Sequence, residues 1–407
     1  MDRSLPIWER ARAFYHPPES RETREPRELR EPRAAAREPR AGDVILALGA
    51  EASAAAAVLA DGTGRPVHVL AGELSGELAG ELAGELPGEL PGELAGEPPA
   101  PAQLAPYAAG ARTVCVVATA ARLGAATVAA LQDALRDVRW GLITGRDAGG
   151  LAFVAAKQRL GAPRADAVHV LDALHAGDAP ADAAAARATQ HARLRCDAAA
   201  AWIIAAHGEG AHANLHELVL CGAPRAGELG PRGCRPGAEP PRCKRVHDPA
   251  VQVMSFAELR AAELIFLSCT GFSVAGQHHP SAASAVLSAL EGTVRAVLTT
   301  DRAIEVEPGD AHRVAALRRA GVGLPALVEL LNEAWRHELG IAPFLLVGDP
   351  ARGGAEVPLA RAALPGVLEL GPAGHHARRT ADRIWAVPRT SGSDGAAGGD
   401  AGEAVPE

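Results

Sequence analysis

Two kinds of segment alternate along most of the chain. Short continuous apolar runs, such as Leu264-Ile265-Phe266-Leu267, are separated by longer stretches whose apolar residues recur at helical spacing. The runs predict strands over Asp43 to Leu48, Pro66 to Leu70, Arg112 to Ala118, Trp140 to Thr144 and Ala167 to Leu171 in the first half. In the second half they predict Ala201 to Ala206, Glu217 to Cys221, Glu263 to Ser268, Arg295 to Thr299 and Pro343 to Val347. The helical spacing predicts helices over Thr127 to Val138, Leu151 to Leu160, Ser281 to Leu290 and Leu324 to Leu339. This alternation is the signature of an α/β fold with a largely parallel sheet, and continuous apolar runs mark strands buried on both faces.

Two stretches break the pattern. From Ser20 to Arg40 the motif Arg-Glu-Pro recurs at Arg24-Glu25-Pro26, Arg30-Glu31-Pro32 and Arg37-Glu38-Pro39, with no apolar face to offset the entropy of ordering. From Gly72 to Pro101, Gly-Glu-Leu recurs every four residues, which opposes a helix and supplies no period of two for a strand. The expected organisation is a disordered charged arm at 1–42 and an N-terminal α/β subdomain at 43–138 carrying a low-complexity insertion at 72–101. The main α/β domain follows at 139–350, then a short β-rich extension at 351–390 and a disordered tail at 391–407.

Composition narrows the class. Apolar residues make up 48% of the 407 but aromatics only 3%, so the core is built from Ala, Val and Leu. The excess of Ala, Gly, Arg and Pro fits a GC-rich genome and says little about function. A net charge of −8, with no basic cluster outside the arm, excludes a dedicated nucleic-acid binder. No run reaches the roughly 18 apolar residues of a membrane span, and Met1 to Ala13 lacks the apolar centre of a signal peptide. The expectation is a cytoplasmic protein with no membrane partner, whose six cysteines act singly rather than as a disulfide scaffold.

Ligands and catalytic groups in open α/β sheets sit just beyond the carboxyl ends of strands. Two runs end in reactive types. Trp202-Ile203-Ile204-Ala205-Ala206 leads to His207-Gly208, and Leu264-Ile265-Phe266-Leu267-Ser268 leads to Cys269-Thr270-Gly271. If the two strands are neighbours, His207 can take the proton of the Cys269 thiol, the minimum a cysteine nucleophile requires. Gly208, lacking a side chain, leaves its N–H free to meet a developing oxyanion together with that of Cys269. Core filling is the alternative for either residue alone.

The order of apolar strand, His-Gly, apolar strand, Ser-Cys, short loop and helix resembles the caspase-fold cysteine peptidases, in particular the gingipain-like peptidases and the related CHAT domains. Leu142-Ile143-Thr144-Gly145-Arg146, followed by Ala155-Ala156-Lys157, is similar to the strand, Gly-Arg turn and Lys-bearing helix that precede the catalytic half of that family. Phe344-Leu345-Leu346-Val347-Gly348-Asp349-Pro350 is similar to the Leu-Gly-Asp-Pro segment that closes it, with Val347 in place of Leu. The resemblance covers about Arg139 to Pro350. It implies a caspase-like three-layer sandwich with a mostly parallel central sheet, preceded by a smaller α/β subdomain. It also implies a cysteine endopeptidase acting on protein or peptide substrates, with Cys269 as nucleophile, His207 as general base and acid, and Gly208 as oxyanion donor. The absence of a signal peptide points to restricted intracellular processing rather than secretion. The segments Thr270-Gly271-Phe272-Ser273-Val274 and His278-His279-Pro280 have no counterpart in the resemblance.

Peptidases of this class often select a basic residue through a carboxylate. Asp301, with Thr300 before it, follows the strand Arg295 to Thr299 and falls at the same sheet edge, which makes the pair candidates for substrate binding. Asp147 and Asp172 also follow predicted strands and compete for the role, and a helix or turn cap is the alternative for all three. Cys221, Cys234, Cys243 and His247 lack the Cys-x2-Cys knuckle of a zinc site, so no metal is expected. Gly149-Gly150 and Gly353-Gly354 make neither a dinucleotide fingerprint nor a Walker loop, so no cofactor is expected either. An α/β hydrolase is disfavoured because no Gly-x-Ser-x-Gly elbow occurs. The rival class is a catalytically inactive, CHAT-like interaction module in a bacterial signalling or conflict assembly, with the arm and the insertion as contacts for a protein partner.

Overall fold

The apolar runs become strands, most within a residue or two of their predicted bounds. Residues 42–61, 63–70, 101–160, 165–174, 189, 191–216, 218–222, 251–272, 283–306 and 309–352 are described by the computed structural model. The arm up to residue 41, the insertion up to residue 100, the extension and tail from residue 353, and Cys234, Cys243 and His247 lie outside the described residues. In chain order the first strands are β1 (Asp43–Leu48), β2 (Val67–Leu70), β3 (Thr113–Thr119), β4 (Arg139–Gly145), β5 (Val168–Asp172), β6 (Ala199–Ala205) and β7 (His207–Glu209). They are followed by β8 (His212–Asn214), β9 (Leu218–Cys221), β10 (Gln252–Ser255), β11 (Ala261–Leu267), β12 (Ala296–Thr300) and β13 (Phe344–Val347). The described helices are α1 (Ala50–Asp61), α2 (Pro101–Ala108), α3 (Ala125–Ala134), α4 (Ala148–Lys157), α5 (Ala285–Glu291), α6 (Asp310–Arg319) and α7 (Leu324–Leu339).

Nine strands form one sheet in the order β2-β1-β3-β4-β13-β12-β11-β6-β5. The strands of the N-terminal part therefore join the same sheet as those of the main domain. Every neighbouring pair is parallel except β12 with β13. Side-chain alternation sorts β6 and β11 into two faces. Trp202, Ile204 and Phe266 pack with Val286, Ala289 and Leu290 of α5, whereas Ile203, Ala205, Ile265 and Leu267 pack with α6 and α7 through Val314, Leu327 and Leu331. Helices on both faces of a mostly parallel sheet make the α/β sandwich that the alternation implied, compatible with a caspase-like architecture. A second, four-stranded sheet in the order β10-β9-β8-β7 grows from the end of β6. Among the described residues no helix is long and apolar enough to cross a membrane.

The seam between the halves is short. β13 pairs with β4 only at Val347↔Leu142, extended by the Gly348 N–H donating to the Leu142 carbonyl at 2.8 Å. Gly141 makes this approach possible, because a Cβ there would lie 2.5 Å from the Gly348 oxygen. Just beyond, the Asp349 carboxylate receives both guanidinium nitrogens of Arg65, at 2.8 and 2.7 Å, with the two side chains 1% and 2% exposed. Two charges this deeply buried are tolerated because the bidentate geometry satisfies them together. The Gly-Asp-Pro segment singled out in the sequence thus serves as a clamp onto the N-terminal part.

A second clamp holds α5. Lys157, fully buried at the end of α4, donates to the carbonyls of Leu290, Gly292 and Val294 at the carboxyl end of α5. Cations are favoured there by the helix dipole and by the unpaired carbonyls. Arg146 pairs with Glu291 and reaches the Gly222 carbonyl. The Gly-Arg turn and the Lys-bearing helix of the sequence are accordingly the two grips on α5.

Removing one charge from the seam leaves the other buried and unpaired. Asp349→Asn is expected to lower stability to urea by about 3–5 kcal/mol, and the double variant Arg65→Met with Asp349→Leu to recover most of it. For Lys157, burial pulls the ammonium well below the usual lysine range, only partly offset by Glu291. The unfolded chain then takes up its proton first as pH falls from the alkaline side, and stability declines across that window. Lys157→Met should flatten this decline between pH 8 and 10 and, by leaving three carbonyls without a donor, cost about 2–4 kcal/mol in urea unfolding at pH 8.

Candidate active site

β6 and β11 are parallel neighbours whose paired residues run from Ala199↔Ala261 to Ala205↔Leu267, so both strands end at the same height. One further bond, from the Ala206 N–H to the Leu267 carbonyl at 3.1 Å, closes the ladder. The chains then diverge: Ala206 leads into the second sheet and Leu267 into a turn. His207 and Cys269 each stand two residues past the last pair. Both are exposed, although the strand residues leading to them are buried. The neighbouring residues stay close, since a Cβ on Gly208 would lie 3.1 Å from the Ser268 Oγ. The sequence expectation that His207 and Cys269 emerge from neighbouring strands is met at the level of the backbone.

Each half of the pair is held by its own scaffold. His207 opens β7, which pairs antiparallel with β8 in the register His207↔Asn214, Gly208↔Ala213 and Glu209↔His212. At the tip of this hairpin the Gly210 carbonyl accepts the Ala285 N–H, the first of α5, at 2.6 Å. Ser284 caps the same helix by accepting the Leu287 N–H. The helix gripped by Lys157 and Arg146 at one end therefore steadies the His207 hairpin at the other. The Cys269 turn is held from β12 and the segment after it. Its own carbonyl accepts the Ile304 N–H at 2.8 Å, and the Phe272 N–H donates to the Thr300 carbonyl at 2.8 Å. Gly271 lies where a side chain would collide with the Thr299 hydroxyl.

The candidates for substrate binding stand at the expected sheet edge, but their polar groups are already engaged within the protein. Thr300 is fully buried, and its hydroxyl is engaged on both sides by the Cys269 turn, so it forms no wall of a pocket. Asp301 does follow β12 at the Cys269 edge. Its carboxylate, 8% exposed, is held by the Arg302 guanidinium at 3.0 Å, and Arg302 in turn reaches Gln132 of α3. A carboxylate already neutralised by a neighbouring arginine is a structural ion pair rather than an open acceptor for a basic substrate. Asp147 accepts the Gly150 N–H as the N-cap of α4, at the end of a strand that runs opposite to β11 and so leads away from Cys269. Asp172 accepts backbone N–H groups from Leu174 and Gly309.

The other described cysteines fall into two kinds. Cys115 and Cys221 are buried, and burial pushes the Cys115 thiol up, beyond the usual thiol range. Cys196 is exposed but precedes the amino end of β6, roughly 20 Å from the dyad edge by strand rise. Among the described residues no group of three or more His, Cys, Asp or Glu is placed to hold a metal. The chain matches no protein-family model and no curated protein sequence.

The fit of Gly208 under the dyad gives a direct check. Gly208→Ala would push its Cβ into the His212 carbonyl as well as against Ser268. The expected cost is about 1–3 kcal/mol of overpacking, read as a lower melting temperature. Gly149→Ala, whose Cβ meets nothing closer than the Asp147 Oδ1 at 3.4 Å, should be neutral or stabilising under the same conditions.

Proposed function

We propose that the protein is a cysteine endopeptidase whose nucleophile is Cys269 and whose general base and acid is His207. The observation that carries this reading is the emergence of an exposed thiol and an exposed imidazole at equal height from two adjacent parallel strands. Parallel sheets concentrate catalytic groups at this edge. The compatibility of the mostly parallel sandwich with a caspase-like architecture adds support, as does the holding of α5 by Lys157 and Arg146 at one end and against the His207 hairpin at the other.

In the proposed reaction His207 accepts the thiol proton and the Cys269 thiolate attacks the carbonyl carbon of a peptide bond. A tetrahedral oxyanion forms, stabilised by the N–H groups of Gly208 and Cys269. It collapses as His207 returns the proton to the leaving amine, which leaves a thioester. Water, deprotonated by His207, then attacks the thioester, releasing the carboxylate product and the free thiol. Substrates are proteins or peptides, and the setting we infer is the cytoplasm. The Asp301–Arg302 pair gives no support to a preference for basic residues, so cleavage-site preference is not part of the proposal.

The test compares thiols within one molecule. Cys269 should be alkylated by iodoacetamide near neutral pH about ten-fold faster than exposed Cys196, and His207→Ala should abolish the difference. Peptide-mapped mass spectrometry reads both sites. Cys269→Ala and His207→Ala should each abolish cleavage of a peptide library with the circular dichroism spectrum unchanged. Equal labelling of Cys269 and Cys196, indifferent to His207, would instead place the protein among non-catalytic interaction modules.

A further inference from the structure

We propose that Thr300 is the positioning residue of the nucleophile, setting the turn that presents Cys269 to His207; this rests on the peptidase reading above. Its hydroxyl makes two bonds. It donates to the Ser268 carbonyl at 3.3 Å and accepts the Gly271 N–H at 3.2 Å. Ser268 precedes Cys269 and Gly271 follows it by two residues, so one hydroxyl spans the nucleophile from both sides. The main chain of Thr300 adds a third bond by accepting the Phe272 N–H, and the Ile304 N–H holds the Cys269 carbonyl itself. All four bonds come from residues 300–304.

Core packing does not call for a hydroxyl here. Thr300 is fully buried at the end of a strand whose preceding residues are Val297, Leu298 and Thr299, and valine has the same branched shape. What valine lacks is the ability to satisfy a carbonyl and an N–H at once. Without the hydroxyl, two buried backbone groups of the turn lose their partners, and the turn must shift to find others.

The segment that carries Thr300 is itself anchored to parts of the fold other than the His207 scaffold. The Asp301 N–H donates to the Pro343 carbonyl at 3.0 Å, Arg302 reaches Gln132, and Gln132 donates to the Ala342 carbonyl at 3.1 Å. His207 is located by the second sheet and α5, and Cys269 by β12 and the segment after it. The Thr300 hydroxyl is where this second scaffold hydrogen-bonds the nucleophile turn from both sides.

The experiment measures iodoacetamide labelling of Cys269 in the full chain, with Cys196 as internal reference, for wild type, Thr300→Val and Thr300→Ser, each with and without His207→Ala. Thr300→Val should slow Cys269 by about ten-fold, the whole of its His207-dependent advantage, as small misplacements of reacting groups do, and leave Cys196 unchanged. Thr300→Ser should restore the rate to within about three-fold, since the hydroxyl is retained. In the His207→Ala background Thr300→Val should have little further effect, because the hydroxyl acts by aligning the thiol with the imidazole. A wild-type rate in Thr300→Val, an equal loss in Thr300→Ser, or the same slowing in both backgrounds would each overturn the assignment while the dyad stands. Wild-type Cys269 that labels no faster than Cys196 would overturn the dyad and the assignment with it. If Thr300→Val does not fold, Thr300→Ala against Thr300→Ser makes the same comparison.

Discussion

A single antiparallel pairing, β12 with β13, sets the directions of all nine strands in the large sheet. On one side of it β5, β6, β11 and β12 point their carboxyl ends to the edge that carries His207 and Cys269. On the other side β1 to β4 and β13 point the opposite way. The reversal is what sends the strand ends of the N-terminal part to the edge opposite His207 and Cys269. Its weak point is the β13–β4 seam, where backbone pairing is brief. There a buried arginine and aspartate supply the attraction that ladder hydrogen bonds provide elsewhere, at the desolvation cost such pairs carry.

Side chains from the chain up to α4 then hold the rest of the fold at several points. Arg65 holds the segment after β13, Lys157 and Arg146 hold α5, and Gln132 holds the segment after β12. Lys157, Arg146 and Gln132 end on elements that lead to the edge with His207 and Cys269, whereas Arg65 ends on Asp349 at the opposite edge. None touches His207 or Cys269. The first half of the sheet thereby braces α5 and the segment after β12, which support the strand ends that carry His207 and Cys269.

Strand positions were legible in the sequence because buried parallel strands announce themselves as unbroken apolar runs; β1 and α7 fall on their predicted residues. α1 was not legible. Its Ala-rich face, with Ala52, Ala55 and Ala56 buried and Ala54 and Ala57 exposed, gives almost no polarity contrast. β7 and β8 were missed because three residues each, as in His207-Gly208-Glu209 and His212-Ala213-Asn214, are too short and too polar to show a period. Strand direction has no periodic signature at all, so Asp147 stood level with Asp301 and Asp172 in the sequence although its strand runs the other way. The dyad was legible as two strand ends, but the ion pair that occupies Asp301 and the buried hydroxyl of Thr300 depend on residues brought in by the fold. The Gly-Arg, Lys and Gly-Asp-Pro segments were visible as a resemblance; that they are grips on α5 and on the seam became apparent only from their partners.

The partners Arg65 and Asp349 are separated by 284 positions along the chain. Contacts of such separation form late, because the entropy of closing the loop is lost before the contact returns anything. β13 is also the last strand of the sheet to leave the ribosome. During synthesis His207 and Cys269 are both present well before the strand that locks the two halves together. In a growing chain the strand ends that carry the imidazole and the thiol are therefore made before β12 has its antiparallel neighbour, and the seam closes only once synthesis has passed Asp349.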